Sequence, residues 1–391
     1  MNTSRRTFLV GAAATGGIIG TDARGALATV RSILDVIPDG EHARIRAGTS
    51  DHDCGPAIQA AMAAGGALVF PAGRYVVRTP IAPRPAASGR FAPGVTLLGD
   101  GAGRTVFDDR TTARALFDFD SGANRADFRA IQGVHLAGFT IEGGRSAATT
   151  AAIRLRGCYQ SSIRDVHIVD RPGSGIVIPC LLGDHDGSNM IDIERVRIEN
   201  CAGWGIDAAA VPGCNEISFL SLRHVAIQNC GTRTRARLPD SGGMRYKGQV
   251  LGLDQCSFTV NQNVGLFIPG EAGLAINSRL ESTTFENNVG RHLLCTGVSV
   301  FRASNLQFFS SDRYRVETAC EFSGNTHTVR AVTIDSVTVR AAPSNAAYTA
   351  FRFRGANLLA DTCDLRAVVW DDFGHPGQTR FDGDLASMKP R

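Results

Sequence analysis

The sequence predicts an all-β fold, a single-stranded parallel β-helix with an N-terminal capping helix, and three observations predict it. First, a phrase of about ten residues recurs, each time apolar-x-apolar, a polar stop, then glycine and an apolar pair. It reads Val166-His167-Ile168-Val169-Asp170 with Gly175-Ile176, then Val196-Arg197-Ile198-Glu199-Asn200 with Gly205-Ile206, then Val225-Ala226-Ile227-Gln228-Asn229. It continues through Phe258, Asn261 and Gly265-Leu266-Phe267-Ile268 to Phe285-Glu286-Asn287 and Gly290. Weaker echoes stand at Phe139-Thr140-Ile141, Leu306-Gln307-Phe308, Val337-Thr338-Val339 and Cys363-Asp364-Leu365. Second, the apolar anchors at 141, 168, 198, 227, 258, 285, 308, 339 and 365 are 23 to 31 residues apart, a spacing that marks a repeat architecture. Third, the alternation inside each phrase has period two and almost no helical periodicity lies between phrases, so each phrase is a strand with one buried face. Such strands bury that face by stacking coil on coil.

Taken in order, the chain opens with an address. Ser4-Arg5-Arg6-Thr7-Phe8-Leu9 is a twin-arginine pattern, followed by a mild apolar stretch and an A-x-A site at Ala26-Leu27-Ala28. Residues 1–28 are therefore expected to be a signal peptide removed on export to the periplasm or beyond. Residues 29–125 form the cap and first coils, residues 126–375 the β-helix repeats and residues 376–391 a C-terminal tail. Within the cap, Gly55-Pro56 starts a helix of good formers that Gly65-Gly66 stops. Ala67 to Phe70 and Arg74 to Val77 then read as two strands joined by a tight turn. That helix covers the open end of the coil, whose edge strands would otherwise seek partners.

Val95-Thr96-Leu97-Leu98-Gly99-Asp100-Gly101-Ala102-Gly103 imitates a phosphate loop, but Arg104-Thr105-Val106-Phe107 reads as strand, so no helix N-terminus receives an anion. It is an early turn of the coil. In the repeats, Asn200, Asn229, Asn261 and Asn287 follow the inward strand, where the chain must bend. Asn tolerates left-handed angles there and can form an amide ladder between rungs about 4.8 Å apart. In the clearest rung Ile191-Asp192-Ile193 is the first strand, Val196-Arg197-Ile198 the second and Gly205-Ile206-Asp207-Ala208 the third.

Composition narrows the function classes. The 391 residues carry a formal charge of +4, of which the first 28 contribute +2, and no basic stripe with interleaved aromatics occurs. Neither nucleic acid nor a membrane is an expected partner. The ten cysteines include no C-x-x-C pair, and Cys201 and Cys230, in equivalent positions, are expected to stack as small buried residues.

The N-terminal passage resembles the pectate-lyase superfamily. The resemblance rests on Asp51-His52-Asp53-Cys54, the Ala57-Ile58-Gln59-Ala60-Ala61 helix, Gly65-Gly66 and the Phe70-Pro71-Ala72-Gly73-Arg74-Tyr75 strand. It covers 37–77 tightly and the coils loosely. It implies a right-handed helix, a polysaccharide substrate held in a groove along the first strands, and a monomer or homotrimer. The chain lacks the Asn-Thr-Asp, Gly-His-Gly and Arg-Ile-Lys signatures of the polygalacturonase branch.

Aligning rungs on their buried residues places Ser162, Asp192, Ser221, Gly252, Arg279, Arg302 and Thr333 in one outward column. Arg164, Glu194, Arg223, Asp254, Glu281, Ser304 and Asp335 form the next. The first functional expectation is β-elimination of an acidic, uronate-containing polysaccharide. Arg279 and Arg302 would neutralise the carboxylate, Glu194, Asp254 and Glu281 would offer oxygens to a Ca²⁺ ion, Lys247 or Arg245 would act as base and Tyr246 as proton donor. Arg233, Arg235 and Arg237 add positive charge nearby. Asp184, His185, Asp186, Asp192 and Arg223 are the substrate-binding candidates. The second expectation is hydrolysis by paired carboxylates from Asp184, Asp186, Asp192 and Glu194. The third is glycan binding or surface assembly without catalysis, for which Trp204 and Trp370 are the available platforms.

Overall fold

A computed structural model describes residues 30–82, 91–122, 129–144, 151–181, 187–211, 217–231, 240–270, 276–311, 313–324, 327–341, 348–359, 364–370 and 380–383. The twin-arginine segment with its cleavage site, Asp184-His185-Asp186, and Arg233, Arg235 and Arg237 lie outside these residues. The chain is a right-handed parallel β-helix. A 20-stranded sheet carries the first and second strands of the coils, and a 10-stranded sheet carries the third. The clearest rung runs as strands Asn189–Glu194, Arg197–Glu199 and Trp204–Ala209, as its alternation requires.

The apolar anchors make the core. Ile141, Ile168, Ile198, Ile227, Phe258, Phe285, Phe308 and Val339 stack in one column on the second strands. Phe258, Phe285 and Phe308 lie ring on ring at 5.1 and 5.2 Å, each burial stabilising by about 1.5–3 kcal/mol. Leu365 departs from the expected column. It pairs with Ile334 on a first strand, and Trp370 takes the place beside Val339. First and second strands share the same alternation, so the local pattern could not tell them apart.

One left-handed residue per rung folds the first strand into the second. Asp165, Arg195, His224, Gln255, Ser282, Asn305 and Ser336 occupy that position with φ between 48° and 56°. The bend after the second strand uses Asp170, Asn200, Asn229, Val260 and Asn287 in the same conformation. Asn229 donates to the Asn200 side chain at 2.7 Å and Asn200 to Asp170 at 2.8 Å, which is the expected ladder. Asn261 belongs to a second, inner ladder one residue further on. Its amide is buried and bonds the Ile227 carbonyl at 3.0 Å and the Asn288 side chain at 2.9 Å. Cys201 and Cys230 hold the preceding positions of that inner column as free, buried thiols. The hydrogen bond between them and burial raise the Cys201 thiol well above its ordinary value.

The glycine of the phrase is there for close approach. A Cβ on Gly205 would lie 2.3 Å from Ile227 Cγ2 and 2.7 Å from the Gly243 carbonyl oxygen, so the third strand could not pass so near the second.

At the N-terminal end, Gly55–Ala63 is the expected helix, with Ile58 and Ala61 in the core. Val30–Ser32 pairs with Ala67–Phe70 and covers the edge of the first rung. A second helix, Asp39–Arg46, escaped the sequence reading because Ile45 is its only buried residue, which leaves no apolar stripe. In the glycine-rich passage from Val95 to Gly103, Thr96–Gly99 is a strand and the residues after it turn into strand Thr105–Asp109, an early turn of the coil as expected. Among the described residues no helix is long and apolar enough to cross a membrane.

Candidate functional site

The first strands build the site. Ile163, Ile193, Leu222, Leu253, Leu280, Ala303 and Ile334 point into the core, and the period of two turns their neighbours outward. Ser162, Asp192, Ser221, Gly252, Arg279, Arg302 and Thr333 are consecutive register partners. So are Arg164, Glu194, Arg223, Asp254, Glu281, Ser304 and Asp335. Both columns stand as the sequence predicts. His135 extends the first column by one rung, its Nδ1 2.9 Å from Ser162 Oγ. Burial and the nearby Arg164 hold its imidazole below the ordinary value.

The charges along this face are unevenly matched. Glu194, 15% exposed, lies 3.6 Å from Arg164 and 3.4 Å from Arg223, and it also bonds Arg195. Arg195 reaches Asp165 at 2.6 and 2.9 Å, and these bonds lower the Asp165 carboxyl and raise the guanidinium. Arg279, 75% exposed, bonds Glu281 at 2.7 Å. Among the described residues neither Asp192 nor Arg302 has an ion-pair partner, and both are exposed. Arg302 stands one rung from Arg279, so two guanidinium groups line up where a single acid group could bridge them.

The remaining candidates lie elsewhere. Strand Gly242–Lys247 belongs to the third face, so Arg245, Tyr246 and Lys247 are not gathered with Arg279 and Arg302. Arg245 forms a two-pronged pair with Asp207 at 2.8 and 2.7 Å, and its guanidinium carbon sits 5.5 Å from the centre of the Trp204 ring. Tyr246 points inward; it is buried, and its hydroxyl donates to the Val250 carbonyl at 2.8 Å. It is a core anchor with no path to solvent, not a surface proton donor. Lys247 is 8% exposed. Trp204 is 2% exposed and stacked on Phe267, so it offers no platform to a ligand.

The metal candidates fail the test of convergence. Arg223 stands between Glu194 and Asp254 in the column, Glu194 is ringed by arginines, and Glu281 is bonded to Arg279. Among the described residues no three His, Cys, Asp or Glu side chains come together as cation ligands. The set does not fit Ca²⁺, which needs six to eight oxygens.

Two site features escaped the sequence reading. One is the Asp165–Arg195 pair, at the left-handed bend beside Glu194. The other is Met190 and Phe219, apolar residues in the outward phase of strands Asn189–Glu194 and Ser218–Arg223, each 51% exposed. The signal for them was present, since each precedes a core residue of its strand and must face the other way.

Asp192 and Glu194 are two residues apart on one strand and both face outward, so their Cα atoms are about 6.6 Å apart. Two carboxylates on one face can work as an acid and a base when their carboxyl groups, rather than their Cα atoms, are about 6.5–9.5 Å apart and leave room for a water molecule.

Neither a protein-family model nor a curated protein matches the chain. Solved structures do. A mutant tailspike protein of E. coli bacteriophage HK620, in complex with a hexasaccharide, is 13% identical, with a TM-score of 0.52 over 90% of this chain and 64% of the tailspike. The catalytic domain of Agl-KA is 12% identical, with a TM-score of 0.50 over 93% of this chain and 69% of that domain. The Streptococcus pneumoniae surface protein and adhesin PfbA is 11% identical, with a TM-score of 0.50 over 91% and 97%. At these identities the likeness is one of fold.

Proposed function

We propose that this protein is an exported, carbohydrate-active β-helix that binds an acidic polysaccharide along the first face and hydrolyses it. The observation that carries the reading is the first-face strip itself, with Asp192 and Arg302 lacking ion-pair partners among the described residues and Arg302 aligned with Arg279. The fold shared with a tailspike that holds a hexasaccharide supports a glycan as the ligand. Arg279 and Arg302 hold an acid group of one sugar. At the other end, Asp192 delivers a proton to the glycosidic oxygen as the bond to the sugar carbon breaks. Glu194 takes the proton of the water that attacks that carbon. Arg164, Arg195 and Arg223 fix the position of Glu194.

β-Elimination is the second reading, favoured by the paired arginines, which suit a uronate carboxylate. It stands second because Lys247, Arg245 and Tyr246, its expected base and proton donor, belong to the third face and the core. The twin-arginine leader and the A-x-A site support export.

The test is incubation of the purified protein with polygalacturonate, alginate, hyaluronate and a neutral β-glucan, following reducing ends and ultraviolet absorbance of unsaturated products. New reducing ends without that absorbance, lost in Asp192→Asn and Glu194→Gln, are the expected result. Absorbing products would replace hydrolysis by elimination. Binding without cleavage of any polymer would leave only a glycan-binding protein.

A further inference from the structure

Met190 and Phe219 hold the same position in adjacent rungs, between the register pairs Asn189↔Ser218 and Ile191↔Leu220. Both have left-handed backbones, with φ of 54° and 53°. That conformation brings the Cβ of an L-residue close to its own carbonyl, and this coil uses it repeatedly at its bends, with Arg195, His224, Gln255 and Val260 among the residues that adopt it. The corresponding position one rung earlier is Gln160, polar, φ 49°, bonded to Gln132 at 2.6 Å. Ala331, which holds the same position several rungs later, is also left-handed, so the bend belongs to the coil; what sets Met190 and Phe219 apart is that each presents a half-exposed apolar side chain that serves neither the bend nor the core. Adjacent exposed apolar side chains on an otherwise polar face mark a place that a ligand can cover.

Their place in the fold identifies the ligand. Met190, Asp192 and Glu194 are successive outward positions of one strand, and Phe219, Ser221 and Arg223 are those of the next. The two apolar side chains therefore stand side by side at the start of the first face, next to Asp192. A pyranose ring presents C–H groups on one face and hydroxyls around its rim. Such a ring can lie on an aromatic surface while its rim meets Asp192, Ser221 and Arg223.

We infer that Phe219, with Met190 beside it, is a stacking platform for a sugar ring in the subsite next to Asp192 and Glu194, and that it positions the ring without taking part in the chemistry. This rests on the reading that a glycan lies along the first face. It replaces Trp204, which the fold buries, as the aromatic contact of the site.

The experiment is affinity electrophoresis at 4 °C through gels containing polygalacturonate, alginate, hyaluronate or a neutral β-glucan. Wild type is compared with Phe219→Asn, Phe219→Tyr, Met190→Gln and Arg302→Ala, and melting temperatures are measured in parallel. Phe219→Asn suits the left-handed turn, so it folds at least as stably as wild type. Its binding to the retarding polymer weakens about tenfold as the ring's contact area is removed. Phe219→Tyr stays within about twofold. If Arg302→Ala weakens retardation and Phe219→Asn does not, the platform is refuted while the glycan face stands. If no polymer retards wild type, both fall together. Concentration-dependent self-association in sedimentation that Phe219→Asn abolishes would also overturn the inference, making the patch a contact between copies of the chain.

Discussion

Acid should weaken this fold at one identifiable residue, His292. Its ring is buried against both Phe285 and Phe308, at 6.4 and 5.8 Å, with Nδ1 accepting from the Asn288 amide at 3.1 Å and Nε2 donating to Ser310 Oγ at 3.1 Å. Burial pushes the imidazole down to about 3 from its ordinary 6.5. Below pH 6.5 the unfolded chain takes up a proton at this site that the folded chain refuses until about pH 3. Stability is therefore complete above 6.5 and falls with pH through that window, by about 1.4 kcal/mol per unit. At pH 5 the loss is about 2 kcal/mol, and its ceiling is about 5 kcal/mol. The perturbation is His292→Gln, which keeps a polar group near Asn288 and Ser310 and removes the titration. The assay is urea denaturation of both proteins at pH 7 and pH 5. The variant starts lower at pH 7, since an imperfectly bonded buried group costs about 1–3 kcal/mol. Between the two pH values, however, wild type loses about 2 kcal/mol more than the variant, because every other titrating group is common to both. Equal losses would refute the reasoning, as would a His292 ring resonance that titrates near pH 6.5.

Three further predictions concern the scaffold. Arg171 and Asp109 are a fully buried pair at 2.6 Å, and Arg171 also bonds the carbonyls of Gly143 and Ala151. Arg171→Met should destabilise by about 3–5 kcal/mol, and Asp109→Asn in the same chain should restore part of that in a double-mutant cycle. Gly205→Ala should lose about 1–3 kcal/mol by overpacking against Ile227. Gly252→Ala, whose Cβ would meet nothing within 4 Å, should change stability by less than about 0.5 kcal/mol in the destabilising direction; equal effects in thermal melts would contradict the close-approach argument. Tyr246→Phe should lower stability by about 1 kcal/mol and leave the rate of glycan cleavage unchanged, whereas a large fall in rate at full stability would return Tyr246 to the chemistry.

The sequence by itself determined the coil, the phase of each strand and the two outward columns, because these follow from period-two alternation, a local property repeated rung after rung. Ser162 to Thr333 and Arg164 to Asp335 could be aligned from their buried neighbours alone. It also located the turns that Asn200 and Asn229 make, because left-handed angles select residue type directly. What only the tertiary structure decided is how far apart around the coil two sequence neighbourhoods fall. Lys247 and Gly252 are five residues apart, yet a corner of the coil puts one on the third face and the other on the first. Tyr246 reads as polar, but its phase turns the ring inward, where backbone carbonyls satisfy its hydroxyl. Glu194 reads as a metal ligand until Arg164 and Arg223, each about thirty residues away, arrive one rung below and above it. Charge pairing between rungs depends on which side chains stack, and Leu365 marks the limit of alternation, since it cannot tell a first strand from a second.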